Sequence, residues 1–151
     1  MKVQNAAMSE FEVSILVVSF NTRDVLRECL LSVYREADSL RVQVIVVDNA
    51  SIDGSAAMIE REFPEVELIR NKINLGFGPA NNLGFKSVRG RYVVLLNSDA
   101  FLTEGSLRRS VEHMNDNPRA GLGGGREFRR RSHSRSVTKP PSCGATERGR
   151  L

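Results

Sequence analysis

From residue 13 to residue 19 the chain reads VSILVVS, a continuous apolar run rich in β-branched residues. Such a run has no polar face to give to water, so it predicts a strand buried on both sides, as in a parallel sheet. The pattern then changes. In TRDVLRECLLSVYREA (22–37), Val25, Leu26, Cys29, Leu30 and Val33 recur at helical spacing, and Thr22 stands where an N-cap belongs. A second apolar run, 42–47, ends in Asp48. Asp53 is placed to cap a helix through Glu62, which Pro64 helps to stop. Residues 66–69 predict a short third strand. NKINLGFGPANN (71–82) is a turn leading into another helix, which Asn81 and Asn82 are expected to start. Residues 92–96 predict a fourth strand, and Thr103 opens a fourth helix ending near Pro118.

Strands and helices therefore alternate, which favours an α/β fold with a mainly parallel sheet. In such sheets ligands bind beyond the carboxyl ends of the strands. Polar residues cluster there: Ser19 and Asn21 after the first strand, Asp48 and Asn49 after the second, Asn97 and Asp99 after the fourth. Three strand ends with convergent polar groups point to one site. Residues 1–11 are expected to be a flexible N-terminus and 12–125 the folded unit. From Arg126 the chain turns to Arg, Ser, Pro and Gly without periodicity. It cannot bury enough surface to offset the entropy of ordering, so 126–151 is expected to be disordered.

Composition refines this picture at two points. The net charge of +4 suggests a nucleic-acid partner until it is located. Residues 126–151 hold seven Arg, one Lys and two Glu, a net of +6, which leaves −2 for residues 1–125. No nucleic-acid partner is therefore expected for the folded part. No apolar stretch reaches the length of a membrane span, and MKVQNAAMSE has no signal-peptide core. Cys29 and Cys143 make no ligand pattern; Cys29 reads as a buried helix residue and no disulfide is expected. These features fit the cytoplasm.

Four segments carry candidate chemistry. SFN (19–21) lacks the glycines of a dinucleotide-binding turn, and GLGGG (121–125) comes too late to supply them, so phosphates must be held by another device. SFN reads equally as a strand-to-helix turn. In VVDNASIDGS (46–55), Asp48 and Asn49 are placed to meet a base edge or ribose hydroxyl, or else to stabilise the turn. In LLNSDA (95–100), Asp99 is poised to meet a divalent cation, or else Asn97 and Asp99 form an Asx turn. In NLGFGPANN (74–82), Gly76 and Gly78 would allow close backbone approach or positive φ, and a helix N-terminus near a diphosphate would be favourable.

Taken in order, V-S-F-N, V-V-D-N-A-S-x-D-G-S, N-x-G-F-x-x-x-N-N and L-L-N-S-D resemble the N-terminal half of family 2 glycosyltransferases of the GT-A fold, closest in look to rhamnosyltransferase-like members. The resemblance spans about residues 12–125. It implies an incomplete GT-A-type, Rossmann-like sheet. It also implies transfer of a sugar, with inversion, from a dTDP- or UDP-linked donor to a glycan or lipid-linked acceptor, in cell-surface polysaccharide synthesis. Val18, Ser19, Asp48 and Asn49 would surround the nucleoside, with Asn21, Asn74, Gly76 and Asn97 also facing the donor. Asp99 matches the last Asp of the family's DxD motif and would bind Mg²⁺ or Mn²⁺; the first Asp is Asn97 here.

In this family the general base and acceptor site come from the second half, so no catalytic base is assigned. The chain is expected to be truncated and poorly active, with an exposed sheet edge that invites self-association, and to work in the cytoplasm or at the inner face of the membrane as a peripheral protein. The basic tail has the composition of a frameshifted, GC-rich reading frame; a genuine segment for anionic lipid or nucleic acid is the other reading. A non-catalytic nucleotide-binding or interaction module is the alternative function.

Overall fold

A computed structural model of the chain describes residues 9–37 and 40–125. The expectations for residues 1–8 and for the tail 126–151 lie outside the described residues.

Among the described residues, four strands and four helices follow one another: β1 (Phe11–Ser19), α1 (Arg23–Glu36), β2 (Val42–Asp48), α2 (Ser55–Glu62), β3 (Glu67–Arg70), α3 (Phe77–Gly84), β4 (Gly90–Asn97) and α4 (Ser106–Asp116). A short 3₁₀ turn, Phe85–Ser87, follows α3. All strand pairs are parallel, in the order β3-β2-β1-β4. The α/β fold with a parallel sheet is as expected.

Helices cover both faces, which explains why β1 reads as an unbroken apolar run. On one face Val13, Ile15 and Val17 of β1 and Val44 and Val46 of β2 pack with Leu26, Leu30 and Val33 of α1, Met58 and Ile59 of α2, and Leu107 and Val111 of α4. On the other, Leu16, Ile45 and Val47 pack with Ala80, flanked by Leu83 of α3. The second layer is thin, and α3 must come close to the sheet. Gly84 permits this: a Cβ there would collide with Leu16 Cδ1.

This second face also carries buried polar groups. Ser14 Oγ donates to Gln43 Oε1 at 2.6 Å and accepts from Gly90 N at 2.8 Å. Gln43 Nε2 donates to Glu67 and to the Ser87 carbonyl. These bonds tie all four strands together near their amino ends. At the far edge, Val93 and Leu95 of β4 lie on the α3 side of the sheet, and Leu95 is 50% exposed.

Several boundaries differ from the sequence expectation. β1 starts at Phe11, whose ring lies under the Arg89 guanidinium, so order begins earlier than residue 12. Val25 points outward and is exposed, because the buried stripe of α1 runs through Leu26, Cys29, Leu30 and Val33. Asp53 does not occupy the N-cap of α2. Gly54 does, at φ 86°, while Asp53 accepts from Ser55 N one residue on. α3 begins at Phe77, after Gly76 at φ 79°, so Asn81 and Asn82 lie inside it, with Asn81 Nδ2 donating back to the Phe77 carbonyl. Thr103 forms a turn with Ser106, and α4 begins at Ser106 behind Gly105. Positive φ decides three of these starts, and glycine takes it more cheaply than a capping side chain. No described helix is long and apolar enough to cross a membrane.

Candidate functional site

The strand order reverses at β1. From β1 the chain goes out to β2 and β3, then returns to place β4 on the other side. The crevice beyond the carboxyl ends at such a reversal is where open α/β sheets bind ligands. The register brings the expected residues to this edge: Ser19 lies beside Asp48, and Val18 lies between Val47 and Asn97.

Asp48 is buried, 3% exposed. Parallel pairing with Ser19 carries its backbone to the end of β2, beneath the following turn. Its Oδ2 accepts from Ser51 N at 3.3 Å, while Oδ1 is buried without a hydrogen-bond partner among the described residues. Burying a carboxylate oxygen without a donor is costly. The atom lies at the carboxyl end of β2, next to the strand-order reversal.

Asn49 is also buried, but all its capacity is spent inside the protein. Nδ2 donates to Asn74 Oδ1 at 2.8 Å and to the Gly76 carbonyl at 3.3 Å; Oδ1 accepts from Asn71 Nδ2 at 2.9 Å and Leu75 N at 3.1 Å. Asn74 Oδ1 further accepts from Gly76 N. Asn49 thus holds the 71–76 loop, and Asn74 and Gly76 are reached through it.

Ser19 is buried, its Oγ 2.9 Å from Thr22 Oγ1 and its carbonyl accepting from Asn49 N at 2.8 Å. Thr22 therefore occupies the N-cap of α1 without a side-chain cap bond. Asp53 Oδ2 instead accepts from Arg23 N at 2.8 Å. Burial works against the Asp53 carboxylate, but hydrogen bonds from Ser55 Oγ, Arg23 N and Ser55 N outweigh it and hold its pKa below the ordinary value. Asn21, at φ 52°, donates from its backbone N to Ser51 Oγ and accepts from Ile52 N. Phe20, between Ser19 and Asn21, is 46% exposed. It is absent from the expected site set although it lies inside the SFN motif; an aromatic exposed at a strand end is the signal that could have found it.

At β4 the arrangement is open. Asn97 and Asp99 are exposed, and the turn is closed by Ala100 N donating to the Asn97 carbonyl. Cys29 lies behind it: its buried free thiol donates to the same carbonyl at 3.6 Å. Burial first, and then the charge of Asp99, push the thiol pKa up to about 12. No group of three His, Cys, Asp or Glu side chains among the described residues could cage a metal. One exposed carboxylate beside a carboxamide fits a hard divalent cation that takes its other oxygens from a diphosphate and water, not one held by protein alone.

The comparisons agree with this architecture. The sequence profile of Glycosyl transferase family 2 matches residues 14–141, and the chain belongs to that family. The succinoglycan biosynthesis protein ExoO of Rhizobium meliloti is 32% identical over 102 residues, which are 67% of this chain and 29% of that protein. The uncharacterized glycosyltransferase EpsJ of Bacillus subtilis is 28% identical over 135 residues, 88% of this chain and 38% of that one. The chain thus spans about a third of the length of these relatives. Among solved structures, a mannosyltransferase from Pyrobaculum calidifontis, in complex with GDP-Man and Mn²⁺, superposes with a TM-score of 0.64 at 25% identity, covering 69% of this chain and 32% of that one. Staphylococcus aureus TarS, in complex with UDP-GlcNAc, gives a TM-score of 0.65 at 21% identity over 71% of this chain and 32% of that one, a likeness of fold.

Proposed function

We propose that this chain is the donor-binding part of an inverting glycosyltransferase that moves a sugar from a nucleoside diphosphate to an acceptor hydroxyl in polysaccharide synthesis at the cytoplasmic side of the membrane. The observation that carries the reading is the buried, unpartnered Oδ1 of Asp48 at the strand-order reversal. A base N–H or a ribose hydroxyl would supply the missing donor. Phe20 offers a face on which a base can stack. The names of the relatives support polysaccharide chemistry, and the bound nucleotides of the structural neighbours support the donor class.

Asp99, with Asn97 beside it, would hold Mg²⁺ or Mn²⁺ against the diphosphate. Bound there, the cation would neutralise the charge that grows on the departing nucleoside diphosphate without moving a proton. The chain's own part is to fix the nucleoside at Asp48 and to present the β4 turn to the phosphates. The acceptor's general base is assigned to the portion of the relatives that this chain does not span.

Calorimetry with UDP, dTDP and GDP, with and without Mn²⁺, tests this. UDP or dTDP is expected to bind, more tightly with the metal. Absence of binding by all three, metal present, refutes the reading.

A further inference from the structure

Asn21 grips the β2–α2 turn from both directions. Its backbone N donates to Ser51 Oγ at 2.9 Å, and its Oδ1 accepts from Ile52 N at 2.9 Å. Ser51 in turn donates from its backbone N to Oδ2 of Asp48. A hydrogen-bonded line therefore runs from Asn21 through Ser51 to Asp48. It engages one oxygen of the buried carboxylate and leaves the other free.

The backbone on both sides of this line is strained. Asn21 at φ 52° and Ala50 at φ 67° lie in the left-handed region. Asparagine tolerates that region, whereas alanine does so at a cost. A strained alanine persists only where its surroundings over-determine it. Here Asn49 is held on one side by the 71–76 loop, and Ser51 and Ile52 are held on the other by Asn21. The Arg23–Asp53 bond closes a second link between the same two turns.

We propose that Asn21 is a positioning residue and not a nucleotide contact: it clasps the β1–α1 turn to the β2–α2 turn and so sets the orientation of Asp48. The inference rests on the proposed donor site, because the purpose of the orientation is to aim Oδ1 at the nucleoside. It also accounts for Asn21 as a non-glycine residue in a left-handed turn. Glycine would satisfy the backbone, but only the carboxamide supplies the acceptor for Ile52 N.

Asn21→Gly keeps the backbone conformation and removes that acceptor. Ser51→Ala removes the acceptor at the other half of the clasp. Each should weaken UDP binding about fivefold to tenfold with little change in melting temperature, as expected for one lost hydrogen bond that acts on the site. Asn21→Gly leaves the bond from its backbone N to Ser51 Oγ, and Ser51→Ala leaves the bond from Ile52 N to Asn21 Oδ1, so the double variant, which removes both halves of the clasp, should bind UDP more weakly than either single one. A harmless Ser51→Ala beside an impaired Asn21→Gly would mean that the Asn21 carboxamide contacts the nucleotide directly and would overturn the proposal.

A second readout needs no ligand. The Asp48 carboxyl ¹³C resonance should move in Asn21→Gly, and the Ile52 amide should exchange faster, while the amides of β1 and β2 stay protected. An unmoved resonance overturns the clasp even if UDP binds. If the unmutated chain binds no nucleoside diphosphate, the donor-site reading fails, and the carboxyl resonance still decides the clasp.

Discussion

At the carboxyl ends of β1, β2 and β3, polar side chains are engaged within the protein: Asn49 makes four hydrogen bonds, Asn21 bridges two turns, and Asp53 receives three donors. At the end of β4, Asn97 and Asp99 stand exposed, and no described residue gives either side chain a hydrogen-bond partner. The two regions flank the same crevice. The first is internally bonded, with one orphan oxygen left over; the second has its side chains open to solvent. A nucleoside is a rigid object that a preformed pocket can match, whereas a diphosphate brings a cation and water of its own. On the proposed reading, much of the ordering cost of nucleoside binding is met in folding.

The largest expected effect breaks the ordered region at its single open valence. Asp48→Asn should weaken UDP binding by about tenfold to a hundredfold, as for loss of a charge-assisted hydrogen bond. Stability should be unchanged or slightly higher in urea titration, since a buried charge with one unpartnered oxygen is removed.

Asn49→Ala attacks the scaffold instead. It leaves partners from the 71–76 loop unsatisfied, and denaturant unfolding should report a loss of about 2–3 kcal/mol. Asn97→Ala, its counterpart in the open region, should cost under about 0.5 kcal/mol. Equal losses at the two positions would erase the distinction between the regions.

Asp99→Asn should leave stability alone and remove most of the Mn²⁺-dependent gain in UDP affinity, read by calorimetry with and without metal. A variant that keeps the gain would place the cation elsewhere.

The smallest effect concerns pH. The pKa of Asp53 is lowered on folding, so its contribution to stability is complete above the unfolded carboxylate value and is lost as pH falls through the folded one. Exchange of the Arg23 amide should therefore accelerate only in acid below the ordinary carboxylate range. Asp53→Asn should flatten that dependence.

Much of this was legible in the residues. Apolar runs without polar alternation at 13–19 and 42–47 announced strands covered on both faces, and β1 and β2 are those strands. Strand alternation with helices announced the parallel sheet, and with it the edge where Ser19, Asp48 and Asn97 meet. What stayed hidden was how each polar side chain divides its bonds. Asp48 and Asn49 are neighbours of similar shape, yet one keeps a free acceptor and the other keeps none. That difference arises from loop residues more than twenty positions away, Asn71 and Asn74, and no local pattern encodes it. Helix starts at Gly54, Gly76 and Gly105 were missed for a related reason. Capping side chains nearby drew the boundary, while the left-handed backbone at each glycine set it.

The central claim is that one crevice, at the strand-order reversal, takes the donor with its nucleoside on the ordered side and its diphosphate on the open side. Titration of the ¹⁵N-labelled chain with UDP tests it most directly. Without metal, amide shifts should be confined to residues 18–21 and 48–52. Added Mg²⁺ should extend them to residues 97–100. Shifts that begin at 97–100, or that fall outside both groups, would contradict the account.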